Sequence, residues 1–168
     1  TESEDARSLQ RVKQTLKQIE ADPEVQLTPK TFYTLGRNAS YEGDYKLAIR
    51  YLERSLALAL TEDAKEDVCY AINGLAIVYS ALGRYEDALK EIYNLQVFFQ
   101  VLPLPKIQLS SLLLNGRILK AMGKPEQALD VFWKCYDLLK EQKNVFMHVN
   151  LLYYMGTTYM DLQEDSMA

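Results

Sequence analysis

Residue types able to make or break bonds are scarce in this chain. His148 is its one imidazole, and Cys69 and Cys135 are its two thiols. Two cysteines so far apart fit neither a disulfide framework nor a four-thiolate metal site. A metal held by His148 would need carboxylates or thiols brought beside it. A Cys–His nucleophile would require Cys69 or Cys135 to meet His148 from another helix. Both thiols read as structural residues, and His148, in Phe146-Met147-His148-Val149, as a surface or interface residue near a helix start. The acidic pairs Glu62-Asp63, Glu66-Asp67 and Glu86-Asp87 read as solvated helix faces. The glycines are dispersed along the chain and build no phosphate-cradling loop. The expectation is a protein that is not an enzyme and holds no cofactor or metal.

The composition narrows the remaining classes. The chain has 168 residues, 48% hydrophobic and 25% charged, with 19 Lys+Arg against 23 Asp+Glu and a net charge of -4. Such a chain can bury a core, and its mild acidity argues against a nucleic-acid-binding domain. The apolar run Val97–Leu104 is interrupted by Gln100 and Pro103 and falls short of the roughly 18 apolar residues of a membrane span. The opening TESEDARSLQ has neither the basic nor the apolar part of a signal peptide. These features predict a cytoplasmic protein with no membrane or nucleic-acid partner, and the opening Thr1 reads as that of a piece of a larger protein.

A repeat positions everything else. Gly43, Gly83 and Gly123 stand forty residues apart, and so do Gly36, Ala76, Gly116 and Gly156. Ala48, Ala88, Ala128 and Ala168 keep the same step, as do Leu52, Ile92 and Phe132. Each unit reads as two helices. Ile72, Leu75, Ala76 and Tyr79 fall at helical spacing, then Gly83 turns the chain, and Tyr85, Ala88, Leu89, Ile92, Leu95 and Phe99 resume the periodicity. The turn glycines sit where a helix C-terminus favours a positive φ. Thr28-Pro29 starts a helix, and Pro125 falls in a first turn, where no hydrogen bond is lost. The small residues at 36, 76, 116 and 156 let paired helices approach closely. Residues 4–21 form an amphipathic helix with Leu9, Val12, Leu16 and Ile19 on one stripe, in register with the second helix of a unit. A half-pair at each end fits an excised segment.

The segments FYTLGRNASYEGDYKLAIRYLERSL and INGLAIVYSALGRYEDALKEIYNL resemble the tetratricopeptide repeat. LLNGRILKAMGKPEQALDVFWKCY is similar, with Asn115 and Pro125 as departures, and LYYMGTTYMDLQEDSMA would supply a fourth first helix and the start of its partner. The usual unit is about 34 residues, so this repeat resembles the lengthened form of peptide-sensing bacterial regulators and adaptors such as kinesin light chain. The resemblance implies an all-α, right-handed superhelix of about eight antiparallel helices, with residues 1–27 a truncated preceding half-unit and 28–168 three full units and a partial fourth.

It also implies a concave face lined by the first helix of each unit. Carried onto this chain, that face holds Lys30, Tyr33, Thr34, Arg37 and Tyr41, then Tyr70, Asn73, Gly74 and Ile77. Leu113, Leu114, Arg117 and Lys120 follow, then Asn150, Tyr153, Tyr154 and Thr157. Aromatic rings beside arginines are enriched in binding hot spots. Lys30, Arg37, Arg117 and Lys120 make the face locally basic and suited to an acidic peptide or protein segment. The carboxylate clamp of chaperone-tail binders is missing, since its places hold Tyr33, Arg37, Gly74, Ser110 and Leu114. The segment Val97–Ile107, with Pro103 and Pro105, is an inter-repeat loop, and Phe98 and Phe99 end the preceding helix in the core. A second reading stays open beside the peptide-binding adaptor: a structural or assembly module that self-associates through stacked repeats.

Overall fold

The computed structural model describes residues 27–140, 142 and 144–167, together with Gln14 and Gln18. Apart from Gln14 and Gln18, the expected amphipathic helix over residues 4–21 therefore lies outside the described residues. Seven helices follow one another among those described: α1 (Pro29–Tyr41), α2 (Tyr45–Thr61), α3 (Lys65–Ala81), α4 (Tyr85–Phe99), α5 (Pro105–Ala121), α6 (Pro125–Leu139) and α7 (Val145–Met167). They fall into two compact units, divided between Leu82 and Gly83.

The helix boundaries follow local chemistry. The Thr28 hydroxyl accepts the Thr31 backbone N–H at 3.2 Å and Pro29 opens α1. Asp44 and Asn144 cap α2 and α7 in the same way, accepting from Leu47 N and Met147 N at 3.1 Å each. Such caps satisfy donors that have no partner within the helix. Gly43, Gly83 and Gly123 take φ of 82°, 72° and 70° after α1, α3 and α5, as their spacing predicts. Asp63, at φ 53°, makes the turn between α2 and α3 without a glycine, a left-handed geometry that Asp tolerates better than most residues.

In the first unit, α1 packs on α2 through Phe32, Ala39, Ala48, Tyr51 and Leu52, and α3 adds Leu75 and Val78. The small-residue columns have a definite purpose. A Cβ on Gly36 would lie 2.7 Å from Leu52 Cγ, and one on Gly74 2.7 Å from Leu52 Cδ2. Leu52 is thus clamped between two helices that approach it only because both present glycine. In the second unit, Leu109, Ala128, Leu129, Phe132, Cys135, Leu139, Leu151 and Met155 form one buried cluster from α5, α6 and α7. A Cβ on Gly116 would strike the Phe132 ring there, the counterpart of Gly36 against Leu52. A hydrogen bond also repeats. Ser55 Oγ donates to the Pro29 carbonyl at 2.7 Å, and Cys135 Sγ to the Leu109 carbonyl at 3.8 Å, each 26 residues back.

Two expectations are corrected. Phe98 and Phe99 do end α4, but both are half-buried rather than in the core. The last segment does not turn to begin a partner helix, for α7 runs unbroken from Val145 to Met167. The turn glycine of the other units is replaced there by Gln163, and a residue with a Cβ extends the helix more readily than it takes a left-handed conformation.

Candidate functional site

In the first unit, α1 and the start of α3 enclose a cleft of about 520 Å³, lined by Lys30, Tyr33, Thr34, Arg37, Ala64, Lys65, Glu66, Asp67 and Tyr70. Helical spacing puts Lys30, Tyr33, Thr34 and Arg37 on one face of α1. The short turn through Asp63 delivers the first turn of α3 opposite them. Tyr33 and Tyr70 meet across the cleft with ring centroids 5.5 Å apart and planes tilted by 51°. The Arg37 guanidinium lies 5.7 Å from the Tyr33 ring centre and 5.5 Å from that of Tyr41, and its Nη2 donates to the Tyr41 hydroxyl at 2.9 Å. These contacts hold an exposed cation in one orientation, which reduces the entropy lost when it binds a carboxylate. Burial pushes the Tyr33 hydroxyl pKa above its ordinary value, against the opposing pull of Arg37. The hydrogen bond to Tyr41 foremost, with the neighbouring Tyr33, raises that of Arg37. Tyr33 is therefore a neutral donor at physiological pH and Arg37 a fixed cation.

The wall contributed by α3 changes the electrostatic reading. Glu66 and Asp67 face the cleft beside Lys65, opposite Lys30 and Arg37. The site is of mixed charge rather than simply basic. Glu66 and Asp67 remain accessible to solvent, as expected; their pairing with the face of α1 was not legible, because it depends on the three-residue turn before α3. Further along α3, Ile77 is exposed, whereas Asn73 is 5% exposed and buried in the first unit, not an open groove residue. Helix α3 sits so close to its neighbours, through Gly74 on Leu52, that the position of Asn73 is covered.

The other expected residues form a different arrangement in the second unit. The Arg117 guanidinium lies 5.0 Å from the Tyr154 ring centre, and that ring is stacked on Phe132 at 6.2 Å and meets Tyr153 edge-on at 5.3 Å. Lys120 Nζ donates to Thr157 Oγ1 at 2.7 Å and pairs with Asp161 at 3.2 Å. Its charge is thus largely engaged within the unit. Leu113 is half-buried against the core cluster, Asn150 is half-buried, and Tyr153 is 63% exposed.

Residues capable of covalent chemistry lie apart from these faces. Cys69 and Cys135 are fully buried, and burial pushes both thiols up to about 11, with Glu66 adding to the effect at Cys69. A thiol so raised holds almost no thiolate at neutral pH and is a poor nucleophile. His148 Nδ1 lies 3.0 Å from the Asn144 carbonyl in the first turn of α7. Among the described residues no group of three or more His, Cys, Asp or Glu could hold a metal ion, and no helix is long and apolar enough to cross a membrane.

The comparisons with known proteins bear on the fold. The tetratricopeptide repeat family model matches residues 27–92, the segment that contains the cleft. The match is confined to that segment. Among solved structures, the chain is similar to a TPR-like protein from Chlorobium tepidum TLS, with a TM-score of 0.66 at 16% identity. The likeness covers 78% of this chain and 94% of that one, and at this identity it shows the tetratricopeptide-like fold alone. No curated protein matches the chain. The repeat fold assigns the described helices to first and second positions: α1, α3, α5 and α7 are first helices, and α2, α4 and α6 are second helices.

Proposed function

We propose that this chain is a non-catalytic peptide-binding module of a cytoplasmic regulatory or adaptor protein, and that the peptide lies in the cleft between α1 and α3. Tetratricopeptide repeats are in general protein-interaction modules, which supports the class. The observation that carries the site is the pre-set Arg37, held by Tyr33 and Tyr41 on the rim of a cleft floored by the Tyr33–Tyr70 pair. A bound segment would place an Asp or Glu against Lys30 and Arg37 and an apolar or aromatic side chain on the tyrosines. A basic residue of the same segment would face Glu66 and Asp67. An acidic residue remains part of the expected ligand, now with a cation beside it. The high thiol pKa values and the placement of His148 support a binding role over catalysis.

The test is selection of peptides from a displayed random library, followed by titration of the enriched sequences. Enriched peptides should pair an acidic residue with an aromatic or aliphatic one. Arg37→Glu should weaken their binding by at least about tenfold with the helical circular dichroism unchanged. Lack of enrichment, or equal affinity for the Arg37→Glu protein, would contradict the proposal.

A further inference from the structure

Helix α1 ends on a tyrosine that burial does not hold in place. Tyr41 is its last residue, is 77% exposed, and stands one turn past Arg37, beyond the side chains that line the cleft. Its ring and its hydroxyl both meet Arg37. The guanidinium lies 5.5 Å from the ring centre, and Nη2 donates to the hydroxyl oxygen at 2.9 Å. The columns of the repeat set this residue apart. The same place holds Ala81 and Ala121, at the ends of α3 and α5, and Asp161 on α7. Of the two arginines that share a column, only Arg37 has a hydroxyl one turn on. Arg117 is followed by Ala121 and lies on Tyr154 instead.

A count of protons shows what the pair can still do. A phenol hydroxyl has one proton to donate and lone pairs to accept. Tyr41 is the acceptor in its bond with Arg37, so its own proton points to a further acceptor. Among the described residues, no protein group takes that proton. An arginine carries several N–H donors, so the bond to Tyr41 leaves others for a ligand. Arg37 and Tyr41 therefore present donors from two side chains, 2.9 Å apart, on an exposed surface beside the Tyr33–Tyr70 pair. Two donors so placed suit the two oxygens of a carboxylate, and charge-assisted bonds of this kind are about twice as strong as neutral ones. A carboxamide suits them badly, because its NH2 group would set donors against a donor.

We propose that Tyr41 contacts the ligand directly: its hydroxyl donates to one oxygen of an Asp or Glu side-chain carboxylate while Arg37 holds the other, and the pair selects the acid over its amide. This rests on the reading that a peptide lies in the α1–α3 cleft, and it extends that site one helical turn past the cleft.

The probes are acetyl-Tyr-Glu-amide, acetyl-Tyr-Gln-amide, and acetyl-Tyr-Gln with a free C-terminus, which moves the carboxylate to the chain end. Each is titrated into the isotope-labelled chain and into Tyr41→Phe, which keeps the ring on Arg37 and removes only the hydroxyl. Circular dichroism verifies that the variant is folded. Wild type should bind the Glu probe at least about tenfold more tightly than the Gln amide. Tyr41→Phe should lose most of that preference by weakening the Glu probe alone. Nuclear Overhauser contacts should join the Glu methylenes to the Tyr41 ring in wild type, a signal that a tyrosine acting only through Arg37 would not give. Absence of those contacts, or equal weakening of the Glu and Gln amides in Tyr41→Phe, would overturn the proposal. Tighter binding of the chain-end carboxylate would overturn the assignment to an Asp or Glu side chain. Unchanged affinity of Tyr41→Phe for the Glu probe would also overturn it, yet would leave the cleft reading standing, because Arg37→Glu and the library peptides test that reading separately.

Discussion

Helices α1 and α5 occupy the same position in the repeat, two repeats apart in sequence, and carry an arginine in the same column, Arg37 and Arg117. Their packed sides are alike: each presents a glycine to one large side chain of its partner, Leu52 in the first unit and Phe132 in the second. Their open sides differ. Arg37 stands on the rim of a cleft with Lys30 and two tyrosines, and its contacts orient it without neutralising it. Arg117 lies on Tyr154, and Lys120 close by is bound to Thr157 and Asp161. The same repeat column thus opens onto a cleft in one unit and is engaged in internal contacts in the other. A column fixes where a side chain points relative to its helix, and the neighbouring helix determines whether it is used up. Asp161, which engages Lys120, stands in the column that holds Tyr41 at the end of α1.

The largest effect should come from the shared side. Gly36→Val and Gly116→Val would each drive a branched side chain into Leu52 or Phe132, and overpacking of this kind costs about 1–3 kcal/mol. Thermal unfolding should show both variants destabilised by similar amounts. A neutral result in one unit would break the equivalence of the two seams. Gly156→Ala, in the same column but facing open space, should instead stabilise the monomer by about 0.5–1 kcal/mol through helix propensity.

The buried thiols give a second shared property. Each titrates from about 11 in the folded protein, against 9.0 as its ordinary value. The folded state therefore keeps its proton while the unfolded state loses it as pH rises from 9 to 11. The resulting stability is complete below pH 9 and is lost progressively toward 11. Denaturant midpoints should fall across that window, and replacing both cysteines with alanine should flatten the fall, leaving the smaller contributions of Tyr33 and Tyr51, also raised by burial. An unchanged slope would show that the thiols are not the cause.

The smallest effect belongs to Lys120. Its partner Asp161 is about half exposed, and ion pairs near the surface contribute about 0–1 kcal/mol. Lys120→Met should lower stability by no more than that and leave peptide binding unaffected. A loss of binding would move the site, or part of it, into the second unit.

The sequence made the scaffold legible because glycine and small-residue columns have direct physical causes. A left-handed turn needs Gly43, Gly83 and Gly123, and close helix approach needs Gly36 and Gly116, so the period is visible without coordinates. The helix starts at Thr28-Pro29 and Pro125 were legible for the same reason. The site was legible only in part. Lys30, Tyr33 and Arg37 follow from the resemblance to the repeat family, whose inner-facing places they occupy, but Glu66 and Asp67 read as ordinary solvated residues until the turn at Asp63 brings them opposite. Asn73 was misplaced because burial depends on how closely α3 approaches, which Gly74 sets. The unbroken course of α7 through Gln163 had a sequence signal in the missing turn glycine.

The central claim is that a peptide occupies the α1–α3 cleft and not the matching face of α5 and α7. Backbone amide shifts of the isotope-labelled chain, recorded while a selected peptide is titrated in, test it most directly. The account predicts that shifts concentrate at residues 30–41 and 64–70, disappear in Arg37→Glu and persist in Arg117→Glu. Shifts concentrated on α5 and α7, or abolished by Arg117→Glu and not by Arg37→Glu, would contradict it.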